Sequence, residues 1–263
     1  MSGVGGTGGL LRRFWIPRVV LDTFRVLGRN FIPFCIVALV LRGVWLFAGT
    51  PGTDDAAIGW LDWPRQLGNP LLRIGLAGVA QMLFAHPTLE TLRGGHARIA
   101  DALRGLRALP SAILLTLICL LPVLAGFAAR ALLPWDSPFG AFLGSVLSLA
   151  SFLFAIAWWF GISVIAVEGC GPLPALGRFW RLSRGRRWSL LGLIACVGAL
   201  FAGSGLFATL VLGLDAAQAA TPYPVDPARA TWFAITVLLA AFLATMATVA
   251  YADLRREKSD AGA

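Results

Sequence analysis

The sequence predicts an all-α protein: a polytopic membrane bundle of six transmembrane helices, carrying three cytoplasmic amphipathic helices at the interface in a pseudo-threefold internal repeat. Three observations lead there. Apolar residues make up 58% of the 263-residue chain and charged ones 13%, with a mean hydropathy of +0.78, where a soluble domain carries about 25% charged residues. Runs near 20 apolar residues recur, the length that crosses a bilayer. Arginine-bearing amphipathic segments centred near Phe24, Ala102 and Leu176 precede pairs of those runs at a period of roughly 74–78 residues, the spacing of an internal repeat.

Residues 1–12 read as a flexible tail without the apolar core of a secretory signal. Residues 14–29 follow as an interfacial helix. Arg18, Asp22, Arg25 and Arg29 form one polar stripe, and Val20, Leu21, Phe24 and Leu27 take the opposite side. Asn30 and Pro33 open a first span, Phe31 to Ala48. Residues 49–69 are a loop rich in Gly, Pro and Asp, with Trp60 and Trp63 suited to headgroup level. A second span runs from about Pro70 to Phe84, with His86-Pro87 read as its terminus.

The pattern then recurs. In 97–109, Arg98, Asp101, Arg104 and Arg107 line one side and Ile99, Ala102, Leu103 and Leu106 the other. Pro110 opens a third span, Ser111 to Ala129. A turn around Pro134-Trp135-Asp136 leads to a fourth, Phe139 to Val167, long enough to tilt or protrude. Glu168 and two glycines break it. A third surface helix, Leu173 to Arg184, sets Leu173, Leu176, Phe179 and Trp180 against Arg178, Arg181 and Arg184. Spans at Ser189–Leu212 and Thr231–Tyr251 complete the bundle. The membrane domain is 13–252, in units of about 13–90, 95–168 and 170–252, and 253–263 form a charged tail.

The charge has a direction. The net charge is +9, and its arginines sit at helix ends beside apolar runs, where anionic headgroups lie, which favours lipid over nucleic acid as partner. They concentrate on one side of every predicted span pair. The positive-inside rule then puts both termini and all three surface helices in the cytoplasm. Cys35, Cys119, Cys170 and Cys196 match no zinc spacing and are expected as reduced thiols.

The stretch VEGCGPLPALGRFWRLSRGRRW, Val167 to Trp188, resembles the pattern V-E-G-x-G-P-x-x-A-L-x-R-S-W-x-L-x-x-G-x-x-W of a bacterial six-helix membrane family. That family is named for members fused to glycerophosphodiester phosphodiesterases. YADLRREK, Tyr251 to Lys258, is similar to its Y-x-D-L-R ending, and Phe179 stands where the family has serine. The resemblance implies a six-span bundle. It does not imply phosphodiesterase activity, which belongs to a separate soluble barrel for which this chain has no room.

Glu90, Glu168 and Asp253 fall at the arginine-rich ends of even-numbered spans, where they serve as elbow ion pairs or as a proton or cation relay. Arg42, the one charge inside a span, either snorkels or faces the interior with Gln81 as partner; His86 has no second ligand at metal spacing. The sequence holds no Ser-His-Asp arrangement, P-loop or zincin motif, so no enzyme and no cofactor is expected. The expected function is a non-catalytic scaffold or regulator. It engages anionic lipids or a membrane-protein partner through Arg18, Arg25, Arg98, Arg104, Arg107, Arg178, Arg181 and Arg184. The alternative is a transporter or permease-like subunit for a lipid or small amphiphile.

Overall fold

The computed structural model describes residues 14–48, 63–132, 138–214 and 227–261, and among them there is helix and no strand. The order is α1 (Ile16–Arg29), α2 (Phe31–Ala48), α3 (Trp63–Leu92), α4 (Ile99–Gly105), α5 (Leu109–Leu132), α6 (Pro138–Glu168), α7 (Pro172–Ser183), α8 (Arg187–Leu210) and α9 (Pro227–Ala261). Four helical runs, Ala100–Gly126, Phe142–Glu168, Arg187–Leu210 and Pro227–Ser259, are long and apolar enough to cross a membrane; the bent pair α1–α2 would make a fifth. These are the helices of a multi-pass membrane protein.

α9 is the central helix. It touches α1, α2, α3, α6, α7 and α8, and Ala241, Phe242 and nearly every residue from Ala244 to Leu254 are buried. The burial is one-sided along the bundle axis. In α6, Phe160 to Ala166 are buried all round, whereas Phe142, Val146, Leu149, Phe152 and Leu153 are exposed. In α3 the buried stretch is Gln81 to Thr91. The bundle is therefore tight at the end where α3 and α6 finish, and it opens toward the other.

The three short helices join their long partners differently. α1 meets α2 at 92°. The bend sits at Asn30, which leaves helical geometry (φ −127°, ψ 36°) and whose side chain adds bonds to Thr91 and Ala97. α7 is set off by glycines on both sides. Gly169 (φ 63°) donates its N–H to Ile165 O at 2.8 Å and ends α6, and Gly185 (φ 87°) ends α7; a left-handed residue there costs only glycine nothing. α4 passes into α5 through a single 3-10 turn, Leu106–Ala108, and counts with it as one continuous run. The helix expected over 97–109 is thus shorter, Ile99–Gly105, and is joined to α5 without a loop. Pro110 occupies the second position of α5, where its missing N–H breaks no bond.

Other boundaries move as well. The predicted loop 49–69 ends earlier, because α3 begins at Trp63; 49–62 lie outside the described residues, as do the tail before 14, the turn at 134–136 and Asp215 to Asp226. His86-Pro87 is not a terminus. α3 runs through it to Leu92, with Pro87 buried. Residues 253–261 are not a loose tail: no Gly or Pro interrupts Thr231 to Ser259, so α9 continues, with Leu254 buried.

The apolar sides predicted for the short helices are divided between bundle and surroundings, with Ala102 and Phe179 buried. In α1 the residues against the bundle are Val19, Thr23 and Val26, while Leu21 and Phe24 stay exposed. In α7 they are Ala175, Phe179 and Ser183, while Leu173 and Trp180 stay exposed. In α4 they are Asp101, Ala102 and Gly105, with Leu103 exposed. Each short helix carries three sectors in the same rotational order at about 100° per residue: arginines, then the residues buried against the bundle, then exposed large apolar residues.

Candidate functional site

The polar groups of the tight end converge on Glu168. Gly169 stops α6 immediately after it, and the α7 turn returns Arg178, whose Nε lies 2.8 Å from Glu168 Oε2. From α9 the Tyr251 hydroxyl donates to Oε1, and Arg255 Nη1 stands 3.9 Å from the same oxygen. The Glu168 side chain is 14% exposed, so two guanidinium groups and a phenol replace its lost water, as a mostly buried carboxylate requires. Beside it, burial first and then the Glu168 carboxylate push the Cys170 thiol pKa up, with Arg178 opposing. All four cysteines are free thiols.

A second pair lies one turn beyond. Glu257 Oε1 accepts from Arg186 Nε at 2.9 Å and from Arg186 Nη2, and Glu257 Oε2 accepts the Phe14 N–H at 3.2 Å. Lys258 Nζ donates to Arg184 O at 3.3 Å. The 167–188 and 251–258 segments, which carry the family resemblance, are therefore packed on each other. Phe179, the departure from that pattern, lies in the core, stacked on Phe160 at 5.2 Å with 8° between the rings.

The predicted elbow acids behave unequally. Glu168 joins three segments. Glu90 pairs only with Arg93, one turn on, at 3.1 Å. Asp253 forms no ion pair among the described residues, and its Oδ2 is buried without a hydrogen-bond partner. Glu257 takes the place expected for Asp253. Its signal was register: it stands three residues past buried Leu254 and seven past buried Ala250, on one face once the helix is extended.

Asn30 is the other residue that pattern reading undervalued. Its Nδ2 donates to Thr91 Oγ1 at 2.7 Å and Val26 O at 3.2 Å, and its Oδ1 accepts the Ala97 N–H at 3.0 Å. Arg29 Nη2 reaches Gly94 O at 3.1 Å. The α1–α2 corner is thereby tied to the turn that follows α3.

The predicted arginines divide into two groups. Arg18 and Arg25 share Asp22 at 3.5 and 2.7 Å, Arg104 holds Asp101 at 3.0 Å, and Arg178 holds Glu168. Arg98 offers its backbone N–H to Asp101 Oδ2 at 3.2 Å. The side chains of Arg98, Arg107, Arg181 and Arg184 are exposed and form no ion pair among the described residues. Arg187 lies over the Trp180 ring, 4.8 Å from its centroid.

Of the intramembrane candidates, Gln81 is fully engaged. Its Nε2 donates to Trp159 O and to Ser163 Oγ at 2.9 Å, and Ser163 Oγ lies 3.5 Å from Thr248 Oγ1. This thread ties α3, α6 and α9 inside the bundle. The Arg42 side chain lies outside the described residues, and His86 is half-buried on α3. Among the described residues no group of three or more His, Cys, Asp or Glu converges.

Below the thread lies a cavity of about 640 Å³ between α3, α6, α8 and α9. Ala155, Trp159, Val197, Phe201, Trp232 and Leu243 are among its walls, and Ser204 and Thr236 are hydroxyls at its margin. It exists because α8 stands off. Leu190 and Leu193 are buried near the start of α8 and Ala208 and Leu214 at and beyond its end, but the middle is exposed.

No family model, no curated protein and no solved structure matches this chain.

Proposed function

We propose that this is a non-catalytic integral protein of a bacterial inner membrane, with six spans in three units and both termini cytoplasmic. It is a relative of the six-helix family its sequence resembles. It acts as a scaffold or regulator that engages anionic lipid headgroups, or a membrane partner, through the arginines of α1, α4 and α7. The observation that carries this is the shared sector order of the three short helices, each following the order short, long, long. Such a helix lies with one side on the bundle, one in acyl chains and its arginines in the headgroup layer. The exposed unpaired arginines are the ones open to phosphate.

The test is lipid retention by the purified chain after replacing Arg107, Arg181 and Arg184 by Gln, which leaves the Glu168 and Asp101 pairs intact. Each near-surface cation contributes about 1 kcal/mol toward an anionic leaflet, so affinity for anionic over zwitterionic lipid should fall about 100-fold at low salt. Unchanged preference in the triple variant would sink the reading.

The cavity supports the second reading, transport or handling of a lipid or small amphiphile. Its walls are mostly apolar and the amide nitrogen of Gln81 is bound to Trp159 and Ser163, which favours a hydrocarbon over a polar solute.

A further inference from the structure

We propose that the cavity behind α8 holds an acyl chain of a phospholipid from the leaflet opposite the arginine-rich elbows, with its phosphate beside Arg229. The inference rests on the membrane-spanning reading above. It goes further in naming a site, a ligand class and a residue outside the elbows.

Length is the first argument. The lining runs from Ile194 to Gly205 on α8 and from Trp232 to Ala244 on α9, about 18 Å at 1.5 Å per residue. That is a little over half of the roughly 30 Å hydrocarbon core, the reach of one leaflet. The cavity begins at Trp232 near the start of α9 and stops at the Gln81–Ser163 thread, short of the elbows.

Polarity is the second. The deep part is walled by Ile156, Ile194, Val197, Leu239 and Leu243, while Ser204 and Thr236 lie toward the Trp232 end. Tryptophan at the end of a span suits headgroup level. Arg229 stands one helical turn before Trp232, on the same face of α9. A lipid seated there has its phosphate at the cation and its chain in the apolar part. An apolar cavity of this kind stays free of water, so in the bilayer hydrocarbon fills it.

The form of the opening favours a chain over a second protein. Leu190 and Leu193 near one end of α8 and Ala208 near the other rest against the bundle, and the space lies behind the exposed middle, so entry is sideways. A thin flexible chain passes there more readily than a helix about 10 Å across.

The experiment uses the full chain in nanodiscs with phosphatidic acid carrying a mid-chain photoreactive diazirine. Expected adducts fall on Phe152 to Trp159, Phe201 and Leu239 to Leu243, and they saturate against unlabelled phosphatidic acid. Ala155→Phe with Ala240→Phe should lower saturable labelling at least tenfold, and Leu117→Phe on the exposed side of α5 should leave it unchanged. Arg229→Gln should weaken labelling by phosphatidic acid about tenfold more than labelling by diacylglycerol with the same chain. Adducts scattered over every lipid-facing helix, or replaced by crosslinks to a second copy, overturn the proposal without needing any variant. Equal losses for both probes overturn the phosphate position. Cysteine labelling that puts α4 and α7 on opposite sides of the bilayer would instead fail the six-span reading, so the two failures are distinguishable.

Discussion

The two ends of the bundle are held by different means. At the elbow end, α6 and α9 are buried on every side, and Asn30, Glu168, Glu257 and Gln81 each join segments distant in sequence. At the other end, the same helices present Phe142, Val146, Leu149 and Leu238 outward, and α8 stands clear. Lipid solvates leucine as well as a neighbouring helix does, so apolar surface alone gives little reason for spans to close. Specific polar contacts and small residues do, and they are concentrated at the elbows.

Substitutions should break this contrast in a graded way. Gly105 has the tightest approach: a Cβ there would overlap the Met82 carbonyl oxygen. Gly105→Ala should lower stability by about 3 kcal/mol, the upper range for overpacking, read as a large drop in the unfolding midpoint in detergent. Gly28 and Gly177, in the other short helices, have nothing within 4 Å of the point where a Cβ would stand; alanine at either should be neutral or stabilising. An equal loss at all three would dissolve the distinction between α4 and its counterparts.

Glu168→Gln comes next. It leaves Arg178, Arg255 and Tyr251 around a neutral amide and should cost about 2 kcal/mol, as for bonds to charged groups. Cys170 reports it independently. Losing the Glu168 charge lowers the thiol pKa, so alkylation near pH 8 should speed up; an unchanged rate would mean that the carboxylate does not act at the elbow. Gln81→Leu should cost about 1 kcal/mol, within the range of polar contacts between membrane helices. At the open end Phe142→Ala should change stability by less than about 0.5 kcal/mol, being 66% exposed to lipid. A large loss there would show the far end to be packed after all.

Hydropathy placed the long helices well. It foresaw the break at Glu168 and Gly169 because charge and glycine interrupt an apolar run visibly. It did not separate the bundle side of α1 and α7 from the outer side, since Leu21, Leu173 and Trp180 are as apolar as any core residue yet face outward. In a membrane both surroundings are apolar, and hydrophobic periodicity separates water from everything else, not bundle from lipid. The bundle side was marked by Thr23, Ala175, Ser183 and Gly105, small residues that let backbones approach. At the site, the roles of Glu168 and Arg178 were readable from charge at a helix end. Those of Asn30 and Glu257 were not, because the segments they join lie 61 to 243 residues apart.

The central position of α9 bears on biogenesis. It is made after all the helices it gathers, yet it helps seat α1: Glu257 accepts the N–H of Phe14, 243 residues earlier. Until α9 is made, the earlier spans wait in the bilayer without their common neighbour, and Glu168 has Arg178 but neither Tyr251 nor Arg255. A nascent chain stalled before Tyr251 is an unfinished assembly, which membrane quality control should recognise by its unclosed hub.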